Sequence, residues 1–103
     1  MKNKKNYFYT LKKQTLYYTE VSTKSKIAVF FLHGLMSDIS GKKVNYLKSI
    51  CKKNNINFLA FDYSGHGKSS GIFEQQGIDD WIQESIELYE TKLKNKKIIL
   101  VGS

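Results

Sequence analysis

Three short apolar runs, Ile27–Leu32, Phe58–Phe61 and Ile98–Val101, carry no charge and are separated by stretches of helical spacing. A short run without polar alternation marks a strand buried on both faces, so a chain with several of them is restricted to a sheet covered on both sides. Between the runs, Val44, Leu47 and Cys51 recur at helical spacing with lysines on the other face. Further on, Ile78, Ile82, Tyr89 and Leu93 mark the apolar face of a longer helix, with Trp81 and Leu88 beside it. Ahead of the first run, Tyr7 to Leu11 and Thr15 to Glu20 alternate aromatic or apolar with polar residues, the pattern of two paired outer strands. The predicted class is α/β: two outer strands, then strand, helix, strand, helix, strand, with a mainly parallel central sheet and right-handed crossovers. Residues 1–103 read as one domain, with 1–6 a loose basic tail. In such a sheet, ligands bind at the carboxyl ends of the strands.

Composition removes several function classes. No apolar run approaches the roughly 18 residues needed to span a bilayer. The basic stretch from Met1 to Lys13 is followed by no apolar h-region, and arginine is absent from the chain, so neither a secretory signal nor a mitochondrial presequence fits. Cys51 is the single cysteine and reads as a core thiol, which makes the cytosol the expected compartment. The net charge of +8 comes from lysines alone, in pairs such as Lys42-Lys43 and Lys52-Lys53 that read as solvated surface. Without arginine there is no bidentate fork to read guanine or clamp phosphate, so nucleic acid is not an expected partner.

Each central strand runs into a motif. After the first comes His33-Gly34-Leu35-Met36-Ser37-Asp38. A His-Gly turn can aim a backbone N–H at an oxygen that becomes negative during acyl transfer, and Leu35 is the candidate donor. The plainer reading is a strand-to-helix turn with Ser37, Asp38 or Ser40 as N-cap, and His33 as a structural hydrogen-bonder. After the second strand, Asp62-Tyr63-Ser64-Gly65-His66-Gly67-Lys68-Ser69 leaves D-x-x-G-x-G-x-S. Asp62 stands where a phosphate-binding P-loop needs its first glycine, and no G-x-G-x-x-G is present. The loop reads as a tight connection tied by Asp62 and Ser69. After the third strand, Gly102-Ser103 match the first two residues of a G-x-S-x-G nucleophile elbow.

Taken together, these residues resemble the α/β-hydrolase superfamily. Phe31-Leu32-His33-Gly34 is similar to its oxyanion-loop motif, and Asp62 to Ser69, with Gly65 and Gly67, to its D-x-R-G-x-G-x-S loop, with Ser64 in place of arginine. Val101-Gly102-Ser103 is similar to the approach to its elbow. The stretches His33 to Lys43 and Phe61 to Gly65 resemble a narrower group, the palmitoyl-protein thioesterases and acyl-glucuronide esterases of mitochondrial type and their bacterial relatives.

The resemblance implies the N-terminal half of an α/β-hydrolase fold, ending at the strand before the elbow. It implies a cytosolic serine hydrolase acting on acyl esters or thioesters, with no metal and no organic cofactor. The nucleophile is expected at the position after Ser103, with acid and histidine following it in the chain, so His33, His66, Asp38 and Asp62 are not triad members. Leu35 N–H, supported by His33 and Gly34, is the one oxyanion donor that carries over. The 103 residues alone are then expected to be inactive, and a complementing C-terminal chain is a possible partner. With the Ile98–Val101 strand left as an apolar edge, they are also expected to be marginally stable. The competing readings are a non-catalytic α/β binding domain and a basic nucleic-acid module.

Overall fold

A computed structural model describes residues 6–103. Ile27–Leu32 (β3) lies between two parallel partners, Asn57–Phe61 (β4) and Lys97–Gly102 (β5). Thr15–Val21 (β2) pairs antiparallel with β4, and Tyr7–Tyr9 (β1) pairs antiparallel with β2. The sheet order is β1-β2-β4-β3-β5. Lys42–Lys53 (α1) makes the crossover from β3 to β4, and Ile78–Leu88 (α2) the one from β4 to β5. The α/β class and the order of elements are those read from the sequence.

Strand periodicity sorts the core onto two faces. Ala28, Phe30, Leu59 and Phe61 point to the face where Leu16, Leu88 and Leu93 pack. Val29, Phe31, Phe58 and Ala60 point to the other, where Val44 and Cys51 of α1 close over them with Ile39. Burial pushes the Cys51 thiol pKa up, in keeping with an inert core residue.

Several boundaries depart from expectation. β1 ends at Tyr9 rather than Leu11, because Thr10 closes a turn: Gln14 N–H donates to its Oγ1 at 3.0 Å. The N-cap of α1 is Gly41, without a side-chain cap, and not Ser37, Asp38 or Ser40. Asp38 instead accepts from Ser40 N–H at 2.8 Å and from Ser40 Oγ at 2.6 Å. The expected basic tail falls mostly on residues 1–5, outside the described residues. Asn6 is not loose, since its carbonyl accepts from Tyr18 N–H at 2.8 Å.

The largest correction concerns α2. Trp81, Glu84 and Leu88 form its buried stripe, whereas Ile78 and Ile82 are 68% and 52% exposed. The helix gives way at Tyr89 to a wide turn over Tyr89–Leu93. Bonding from i to i+5 brings residues five apart toward one side of the helix, which turns Leu93 inward with Leu88. Beyond it, β5 bonds only β3 among the described residues, and Ile99 and Leu100 are exposed along the sheet edge.

Candidate functional site

The carboxyl ends of β3, β4 and β5 meet at one edge of the sheet, where register pairs Leu32 with both Phe61 and Gly102. β3 runs directly into His33, which is buried. Its Nδ1 lies 2.6 Å from Gly34 O, and Tyr63 N–H donates to its Nε2 at 3.2 Å. His66, also buried, repeats the pattern: Nδ1 is 3.0 Å from Ser64 O and Nε2 accepts from Met36 N–H at 3.0 Å. Both rings are thus assigned as neutral tautomers protonated on Nδ1. All four ring nitrogens are engaged, so neither histidine offers a free base. The two rings sit 5.0 Å apart in an aromatic cluster with Tyr63, Phe73 and Trp81.

Burial holds the His33 pKa below its ordinary value of about 6.5, against the raising effect of the Gly34 carbonyl. The unfolded chain therefore binds a proton at His33 before the folded one does. His33 contributes stability above about pH 6.5 that is lost as pH falls through its lower folded value. The urea midpoint is expected to drop between about pH 7 and pH 5 and to drop less in His33→Gln. Asp62 and Glu84, whose pKa values burial raises, act with the opposite sign and favour the folded state on mild acidification. An equal drop in the variant would remove His33 as the source.

Gly34 follows, and a Cβ there would meet Ser103 O at 3.1 Å, tighter than nearly all such contacts. Absence of a side chain is what lets the β3 loop lie against the end of β5. Gly34 O accepts from Ser37 N–H at 3.1 Å, and Met36, at φ 61°, turns its own N–H to His66. Leu35 N–H, between them, donates to nothing among the described residues. Leu35 is exposed at a cleft of about 520 Å³, lined also by Leu32, Gly34, Tyr63, Ile82 and Ser103. Lys43 Nζ reaches Ser103 Oγ at 3.2 Å from the start of α1.

The β4 loop is anchored by the Asp62 carboxylate, which is buried. Ile39 N–H donates to its Oδ1 at 2.8 Å and Lys68 N–H to its Oδ2 at 2.9 Å. Burial pushes its pKa up, and the two N–H groups pull it down by less. Ser69 Oγ donates to Asp62 O at 2.6 Å and accepts from Tyr17 N–H at 2.9 Å, tying loop to β2. Gly67 packs its Cα against the Asp62 carboxylate, and Gly65 packs against the backbone of Phe73. Sequence reasoning missed the partners of Ser64: its N–H donates to Glu84 Oε1 at 2.9 Å, and its carbonyl accepts from Trp81 Nε1 at 3.0 Å. The available signal was Glu84, a carboxylate placed between Trp81 and Leu88 on one helical stripe. Among the described residues, no cluster of histidine, cysteine and carboxylates could hold a metal ion. None of the described helices is long and apolar enough to cross a membrane.

What the edge presents is an unbonded N–H, an apolar cleft and the backbone of Ser103, held by loops whose buried side-chain polar atoms all have partners among the described residues. No family model matches the chain. It is 31% identical over 75 residues to the mitochondrial palmitoyl-protein thioesterase ABHD10 of Rattus norvegicus, covering 73% of this chain and 25% of that one. Mouse alpha/beta hydrolase domain-containing protein 10 superposes with a TM-score of 0.84 at 26% identity, over 94% of this chain and 38% of that structure. The Pyrococcus furiosus esterase Pf2001, at 24% identity and TM-score 0.73 over 93% of this chain and 38% of its own, shares the fold. The chain spans about a quarter of the curated relative it matches and 38% of the solved structures.

Proposed function

From a chain that belongs to the α/β-hydrolase superfamily and corresponds to the N-terminal part of its relatives, we propose a role in serine-dependent hydrolysis of carboxylic esters or thioesters. The observation that carries this reading is the unbonded Leu35 N–H, at a cleft that Gly34 and Ser103 share. In this reading Leu35 N–H is one donor to the oxyanion, and the N–H of the residue after the nucleophile is the other. The nucleophilic serine follows Ser103. Its oxygen bonds the acyl carbon, the thiolate or alkoxide leaves with the proton that histidine took from serine, and water then releases the acid. His33 and His66 hold the oxyanion loop rather than move protons.

The thioesterase name of the rat relative supports acyl thioesters, including those of acylated proteins, as the substrate class. The cytosol is the proposed compartment; the rat relative is mitochondrial by name, and fractionation of source cells decides between them. Nucleophile, acid and histidine would come from a following segment or from a complementing chain. A polypeptide of residues 1–103 alone is therefore expected to hydrolyse no ester above background, since loss of the catalytic serine alone costs about 10⁶ in rate.

Labelling source cells with a fluorophosphonate, then mapping the modified peptide by mass, tests the reading. A label on a serine directly following the sequence of β5 and Ser103 is the expected result. The intact 11.9 kDa chain found alone and unlabelled would overturn it.

A further inference from the structure

We propose that the outer face of α1 is a docking surface for an anionic lipid bilayer. The inference is independent of the hydrolase reading and rests on how charge and apolar surface are distributed over the two helices.

The helices lie on opposite faces of the sheet and carry opposite charge. α1 has Lys42, Lys43, Lys48, Lys52 and Lys53 and no acidic residue. α2 has Asp79, Asp80, Glu84 and Glu87 and no basic one. The two faces of the sheet are therefore covered by a basic helix, α1, and an acidic one, α2. A negative surface attracts the first and repels the second, which orients the chain with α1 toward it.

Helical geometry then sorts α1 itself. Val44 and Cys51 point into the core, with Leu47 packed beside them. Lys48 is turned to β2, where its Nζ donates to Thr19 Oγ1 at 2.5 Å. Lys42, Tyr46 and Lys53 remain along the opposite line, with Lys43 and Ile50 on its flank. None of these lysines has a carboxylate within ion-pair distance among the described residues. Tyr46 is 67% exposed and Ile50 38% exposed, and both stand inside the lysine frame.

Apolar side chains in a frame of cations are what an interfacial helix presents to a lipid headgroup layer. A tyrosine places its ring at the headgroup boundary with its hydroxyl in water, and lysine stems lie along the apolar surface with their charges outward. A nucleic acid uses the charge but gives Ile50 nothing to bury against, and the chain has no arginine fork for its phosphates.

Flotation of the full chain with vesicles separates these partners, since only vesicle-bound protein rises. The probes are phosphatidylcholine vesicles and the same vesicles with about 30% phosphatidylserine. The chain is expected to float with the anionic vesicles at low salt, and not with neutral ones. Lys42→Glu with Lys53→Glu should cut the bound fraction about tenfold or more, while Lys→Arg at both sites keeps it. Tyr46→Ser with Ile50→Ser should cut it several-fold at unchanged charge. All four positions are exposed, and the thermal midpoint of each variant confirms that it folds. Equal flotation with neutral vesicles, or flotation indifferent to the α1 charge reversals, overturns the proposal. Binding unmoved by Tyr46→Ser and Ile50→Ser assigns α1 to polyanions in general and overturns the lipid assignment. So does salt-sensitive DNA binding without flotation.

Discussion

Asp62→Ala is expected to lower the unfolding free energy by about 2–5 kcal/mol, measured as the shift of the urea midpoint at constant slope. The side chain is the single acceptor for two backbone donors from different loops, Ile39 N–H and Lys68 N–H. Ile39 is buried, so its orphaned N–H bears the full desolvation penalty, whereas Lys68 is exposed and recovers part of its loss from water. Asp62→Asn separates the two contributions. Its amide oxygen still serves Ile39, but its NH₂ faces the Lys68 donor, so about half the effect should remain. An Asp62→Ala variant within about 0.5 kcal/mol of the parent would mean that the carboxylate does not anchor the loops. The test has a second reading, because burial raises the Asp62 pKa. The stability advantage of the parent over Asp62→Asn should therefore narrow toward high pH, where the buried charge is fully formed.

How far the sequence disclosed this site depends on the range of the forces involved. β3 and β4 were legible because both are covered on both faces, so Ile27–Leu32 and Phe58–Phe61 are apolar without interruption. The punctuation of the loops was legible too, since Gly34, Gly65 and Gly67 mark turns and close approaches. The inward face of α2 was not. Ile78, Ile82 and Ile86 make an i, i+4 stripe that competes with Trp81–Leu88, and the latter contains Glu84. Only tertiary structure decides, because Glu84 becomes an acceptable core residue once Ser64 N–H donates to it. The state of the histidines was equally hidden. His33 finds its donor at Tyr63 and His66 finds its donor at Met36, each 30 residues away. A motif announces that a histidine is present, but only the fold shows that both of its nitrogens are used.

Gly65→Ala should cost about 2–5 kcal/mol and disturb the cleft from the far side of the loop. Gly65 has φ 75°, where a side chain costs about 1–2 kcal/mol. A Cβ would also stand 2.8 Å from Phe73 Cα and 2.9 Å from Phe73 N, contacts that only a backbone shift relieves. Phe73 is stacked on Trp81 at 6.0 Å and meets the His66 ring edge-on at 5.3 Å, so it cannot retreat alone. His66 in turn holds Met36 N–H, the neighbour of the unbonded Leu35 N–H. The strain thus travels from the β4 loop through an aromatic stack to the β3 loop. Trp81 is the only tryptophan of the chain, and its indole N–H donates to Ser64 O, so one proton resonance reports on the stack. That resonance should shift in Gly65→Ala, together with the Leu35 amide. Gly41→Ala, where a Cβ meets nothing within 4 Å and φ is −74°, should leave both in place. If the Leu35 amide stays put while the midpoint falls, the two loops are energetically separate, and Gly65 serves stability alone.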